Sequence, residues 1–197
     1  MKIRGPGQSS LLLLKVIKLL NKRRVPYAIV GAFAASFYGV VRASLDADAV
    51  ISLGDDEEKL RPLLSALKKE GLKTVLTRGD SRDPIRCVIN IEDKFKNRVD
   101  LLVGIRGMTE DAFGRVRTAS FLRAKIKLIG IEDFIAMKIF AGGAKDIEDV
   151  LGALQVSPEK IDRPLLKHLT LHYGKKELIK LEEILRSPGP RRSGNPK

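Results

Sequence analysis

Arg42-Ala43-Ser44-Leu45-Asp46-Ala47-Asp48-Ala49-Val50-Ile51 places two aspartates one residue apart in a run that otherwise reads as an ordinary buried strand. Side chains two residues apart on a strand project from the same face, so both carboxylates can reach one hard cation. Burying two like charges side by side without such a cation is strongly unfavourable. The pair therefore reads first as a magnesium site. Upstream, Tyr27-Ala28-Ile29-Val30-Gly31-Ala32 reads as a strand that turns at Gly31, and 32–38 as a short helix ended by Gly39. Downstream, a third carboxylate stands in Asn97-Arg98-Val99-Asp100-Leu101-Leu102-Val103, again inside an apolar strand.

The rest of the chain frames these strands. A helix is expected over 9–24, packed on the main domain, with Ser9 or Ser10 as N-cap. Asp55-Asp56-Glu57-Glu58 opens a helix running to Gly71, where acidic residues complement the positive end of the dipole. That role explains the cluster, and no metal is assigned to it. Strands are expected near 73–77, 85–92 and 97–103, with a short helix at 108–114 and a last edge strand at 124–129. From Ile131 the apolar period turns helical, with further helices near 145–155, 158–170 and 174–186. The expectation is an α/β (α+β) protein: a mixed-sheet core with its N-terminal helix over 1–130, a helical C-terminal subdomain over 131–186, and a mobile basic tail over 187–197.

The 197 residues, 44% of them hydrophobic, suffice for one sizeable core or a domain with a helical appendage. Thirty-seven Lys and Arg against 24 Asp and Glu give a formal charge of +13, which attracts polyanions such as nucleotides and nucleic acid, or is simply a solvated surface. Cys87 stands alone in an apolar stretch, so no disulfide framework exists and a buried structural thiol in a reducing, cytoplasmic setting is expected. His168 and His172 have helical i, i+4 spacing but no third ligand, which favours a packing or surface role over zinc. Lys15 and Lys18 interrupt the run that starts at Leu11-Leu12-Leu13-Leu14; it is too short to span a bilayer, and no membrane partner is expected. Abundant Lys, Arg and Glu with scarce Gln, Asn and Cys resemble the composition of heat-adapted proteins.

Taken together, the Gly31 turn and short helix, Asp46-x-Asp48 and the later Asp100 strand resemble the DNA polymerase beta-like nucleotidyltransferase superfamily. Within it, the chain is similar to small proteins related to the AbiEii abortive-infection toxins and the minimal nucleotidyltransferases. Phe134-Ile135-Ala136-Met137-Lys138-Ile139-Phe140-Ala141 and Lys145-Asp146-Ile147-Glu148-Asp149-Val150 resemble that family's helical lysine and K-D-x-x-D motifs. The resemblance implies two magnesium ions on Asp46, Asp48 and Asp100, with Asp100 also placed to act as general base. It implies triphosphate binding by the Gly31–Ala32 turn, Arg42, Lys138, Lys145 and Asp146. Ala32 departs from the usual Gly or Ser of the turn and lacks a hydroxyl.

Several of these residues carry a second reading. Arg42 can contact phosphate or fix the carboxylates by ion pairing. Lys138 can meet the triphosphate or snorkel to solvent. Asp146-x-x-Asp149 can serve the site or cap a helix after Gly142-Gly143, with Lys145 merely exposed. The expected activity is transfer of a nucleoside monophosphate from an NTP to an acceptor hydroxyl, on RNA or tRNA or on a partner protein in a toxin–antitoxin or defence setting. The rival expectation is a nucleotidyltransferase-fold module that binds nucleotide, RNA or a partner and does not catalyse.

Overall fold

The computed structural model describes residues 2–40, 44–54, 57–156, 158 and 161–186. Arg42, Asp55, Asp56 and the basic tail 187–197 lie outside the described residues. The chain forms two compact units, one of residues 2–37 and 44–130 and one of 38–40 and 131–186. No helix among the described residues is long and apolar enough to cross a membrane.

The described residues of the first unit form seven strands: β1 (Tyr27–Ile29), β2 (Asp46–Ile51), β3 (Lys73–Arg78), β4 (Ile85–Glu92), β5 (Arg98–Ile105), β6 (Arg117–Phe121) and β7 (Ala124–Leu128). They lie in the order β3-β4-β5-β2-β1-β7-β6, with β2–β5 and β1–β7 parallel and the other pairs antiparallel. Strict alternation sorts the central strands into two faces. Ala47, Ala49 and Ile51 of β2, Val99, Leu101 and Val103 of β5, and Cys87, Ile89 and Ile91 of β4 are all buried in one core cluster. That cluster includes Leu12, Leu13 and Leu20 of α1 (Ser9–Lys22) and Leu63 and Leu67 of α3 (Leu60–Lys69). Truncating a fully buried leucine there to alanine costs about 2–5 kcal/mol.

Three local expectations change. The strand at 124–129 is not an edge: β7 lies between β1 and β6, and β6 is the edge. Leu122 and Arg123 close the β6–β7 hairpin at φ 47° and 64°, where a turn of this kind ordinarily announces itself by Gly or Asn, so its sequence signal is missing. Neither serine caps α1 with its side chain: Gln8 precedes the helix without a side-chain cap bond. The Ser9 hydroxyl instead donates to the Leu45 carbonyl (2.6 Å) and accepts from the Arg98 N–H (3.1 Å). The helix expected near 158–170 is α6 (Arg163–Tyr173), because the Asp162 carboxylate accepts from the Leu165 N–H (3.0 Å) and Pro164 follows inside the first turn.

The second unit packs α4 (Ile131–Ala141), α5 (Ala144–Val156), α6 and α7 (Lys175–Arg186). Helix α4 is apolar nearly all round and buries Ile131, Phe134, Ile135, Ala136 and Ile139, as a central helix must. The buried Glu132 is held by accepting the Asp162 N–H (3.0 Å), which fixes the start of α6 against α4.

Candidate active site

The parallel pairing of β2 with β5 sets Asp48 directly beside Asp100 and Asp46 beside Arg98, and the antiparallel pairing of β4 with β5 sets Asn90 on the other side of Asp100. Asn90, Asp100 and Asp48 thus stand abreast across three strands, roughly 5 Å apart per step. Register is fixed by the buried residues: a one-residue slip of β2 would bring Ala47 and Ala49 out of the core and drive the aspartates into it. Ser9 ties Leu45, just before β2, to Arg98, the first residue of β5, just ahead of the carboxylates.

The three carboxylates have different surroundings. Asp46 Oδ1 is buried and has no hydrogen-bond partner among the described residues. Asp100 Oδ1 accepts from Asn90 Nδ2 (2.9 Å), and Asn90 Oδ1 accepts from the Thr77 hydroxyl (3.1 Å). Asp48 lies against Gly31, the first residue of α2 (Gly31–Phe37), which has φ +64°. A Cβ at Gly31 would fall on the Asp48 carboxylate and stand 2.9 Å from its Cγ, so only glycine permits this approach. The Val30 N–H donates to the Asp48 carbonyl (3.0 Å), so the turn and the strand move as one piece. Ala32 is buried next to it, and Phe33 sets α2 on β6 through an edge-to-face contact with Phe121 (4.9 Å).

Two cavities of the first unit meet at Asp46. One, about 150 Å³, is lined on the α2 side by Ala32, Ser36, Ser9 and Ser44. The other, about 250 Å³, is lined by Asp100, Asn90, Lys73, Arg98 and Glu92. A larger hollow of about 700 Å³ adjoins α1, but its acids are already engaged: Glu70 with Lys15 (3.3 Å), and Asp93 with the Phe95 and Asn97 N–H groups. Chemically the Asp46–Asp48–Asp100 donor set fits a hard divalent cation, since it offers anionic oxygens of which one is buried and unsatisfied. As the side chains stand, no three His, Cys, Asp or Glu among the described residues converge into a closed cluster. Asp48 faces Gly31 and Asp100 faces Asn90.

The helical motif residues group separately, within the second unit. Lys138 Nζ lies 2.7 Å from Asp146 Oδ1 and 2.8 Å from Asp149 Oδ2, and Asp149 is fully buried. The other Asp146 oxygen accepts from the Gly143 N–H (3.2 Å) at the start of α5, the capping alternative. Lys145 is exposed. His168 and His172 are exposed and contact each other edge to face at 4.6 Å. Arg42 lies outside the described residues.

Thr77 and Asn90 escaped sequence reading because a polar residue on the outward face of an alternating strand is unremarkable. Only the cross-strand register reveals what Asn90 touches.

No protein-family model matches the sequence, and no curated protein does. Solved structures do. The chain is similar to ANT(2'')-Ia in complex with adenylyl-2''-tobramycin, with a TM-score of 0.57 at 15% identity over 83% of this chain and 95% of that one. The solution structure of the same antibiotic-resistance factor gives a TM-score of 0.56 at 15% identity over 88% and 94% of the two chains. A Thermotoga maritima protein assigned provisionally to the nucleotidyltransferases gives 0.53 at 16% identity over 74% and 91%. Identities this low speak to architecture alone: the chain shares the fold of these proteins.

Proposed function

We propose that this protein is a magnesium-dependent nucleotidyltransferase that moves a nucleoside monophosphate from an NTP to a terminal hydroxyl of RNA. The observation that carries the reading is the arrangement of Asp48 beside Asp100, with Asp46 Oδ1 buried and without a hydrogen-bond partner among the described residues, on the sheet face opposite the core. An unsatisfied buried acceptor costs about 1–3 kcal/mol, a cost that a bound cation would offset. Asp46, Asp48 and Asp100 would hold magnesium, which supplies charge neutralisation for the reacting phosphate and the departing pyrophosphate.

The remaining work falls to this chain's own residues. The Gly31 turn brings backbone to within reach of the phosphates, and Ser44 of the smaller cavity offers a hydroxyl donor that Ala32 does not. Asp100 takes the acceptor's proton as its oxygen bonds to the α-phosphorus and the α–β bridging bond breaks, releasing pyrophosphate. Lys73 and Arg98 line the cavity beside Asp100, where they would hold the phosphates next to an RNA terminal hydroxyl without reading sequence. The chain's net charge of +13 supports the same acceptor. Lys138, closed on Asp146 and Asp149, serves as a fastener of the helical unit in this reading.

Ala32 supports a second reading, a module that binds nucleotide or RNA without catalysis. Incubation with α-labelled NTPs, magnesium and either RNA or candidate protein partners separates the possibilities. Label on RNA that disappears in Asp48→Asn is the expected result. Label confined to a protein would overturn the acceptor assignment, and no transfer with intact nucleotide binding would establish the non-catalytic module.

A further inference from the structure

The hydrogen-bonded row Thr77–Asn90–Asp100 runs across β3, β4 and β5 on the carboxylate face. Its polarity is determined. A carboxylate only accepts, so the Asn90 NH2 must face Asp100 (2.9 Å); the amide oxygen then faces the Thr77 hydroxyl, which donates at 3.1 Å. Asn90 is half-buried and Thr77 exposed, so each bond contributes little to folding and the row is not needed for the core.

The geometry points to Asn90 as the positioning residue that holds Asp100 in place, with Thr77 as the anchor that prevents its amide from flipping. This inference rests on the proposed carboxylate centre. Asp46, Asp48 and Asp100 set three like charges on one sheet face, and a donor clamped to one oxygen of Asp100 restrains its side chain against their repulsion. The donor must be neutral. A lysine or arginine at position 90 would pair with Asp100 and compete with a cation, and an aspartate would add a fourth negative charge.

The test combines Mn2+ binding, followed by the ion's own paramagnetic signal, with steady-state kinetics and thermal melting. Asn90→Ala is expected to weaken Mn2+ binding and lower kcat by about 10- to 100-fold, the usual cost of losing a partner of a metal ligand, with the KM for NTP held within about twofold. Thr77→Val should move both quantities the same way by less, and Thr77→Ser, which keeps the hydroxyl, should restore them. The inference is overturned if Asn90→Ala keeps parental Mn2+ affinity and kcat, or if it lowers only the melting temperature. If the parent binds Mn2+ no better than Asp46→Asn, the carboxylate centre itself is wrong, and the inference falls with it.

Discussion

Two clusters of charge in this protein are finished to different degrees. In the helical unit, Asp146 and the fully buried Asp149 are closed by the chain's own lysine, Lys138, at 2.7 and 2.8 Å. On the sheet, Asp100 is held by a neutral amide, and Asp46 keeps a buried oxygen with no hydrogen-bond partner among the described residues. The first closes its charges on one another within the helical unit. The second leaves one buried carboxylate oxygen, Asp46 Oδ1, without a hydrogen-bond partner among the described residues, and local rules are broken in this way mainly at functional sites.

The contrast can be broken most severely at the sheet. Asp48→Asn or Asp100→Asn should remove several kcal/mol of transition-state stabilisation, roughly a thousandfold in transfer rate. The metal-free melting temperature should stay level or rise, because one of three like charges on the same sheet face is gone. A clear fall in that melting temperature would mean these carboxylates are structural, like those of the helical unit. Lys138→Met should do the opposite: it takes the ammonium away from the buried Asp149 carboxylate and costs about 3–5 kcal/mol of stability. Denaturant unfolding measures this, and a loss below about 1 kcal/mol would deny that the pair is buried in solution.

Gly31→Ala comes next. It forces a side chain onto Asp48 and a non-glycine residue to φ +64°, so a stability loss of about 1–3 kcal/mol together with reduced activity is expected. Unchanged activity would remove Gly31 from the phosphate site. The smallest effect belongs to the exposed pair of Lys167 and Glu182 (2.8 Å), whose hydrogen bond holds the Glu182 carboxyl below its ordinary value. A depressed folded value means the contribution is present above the unfolded value of 4.5 and is lost as pH falls through the folded one. Glu182→Gln should therefore leave melting at pH 7 nearly unchanged and shrink its difference from the parent further in acid. A large change at pH 7 would erase the distinction between buried and surface pairs.

The carboxylate face was readable because a strand has period two: Ala47 and Ala49 must go inward, so Asp46 and Asp48 go outward, and the same holds for Val99 and Leu101 against Asp100. What could not be read is pairing between distant strands. Asn90 beside Asp100 depends on the β4–β5 register, and Ser9 bridging β2 and β5 depends on where α1 begins. The β6–β7 hairpin was hidden because Leu122 and Arg123 occupy turn positions that carry no turn-forming residue. In the K-D-x-x-D segment a helix cap and a binding motif share the same spacing, and only the distance from Asp146 to both Gly143 and Lys138 separates them.

The most direct test of the central claim is a crystal structure with magnesium and a non-hydrolysable NTP analogue. The account predicts a metal bound by Asp46 Oδ1 and Asp48 with the triphosphate over the Gly31 turn. Nucleotide bound elsewhere, or bound with no metal on these aspartates, would contradict it.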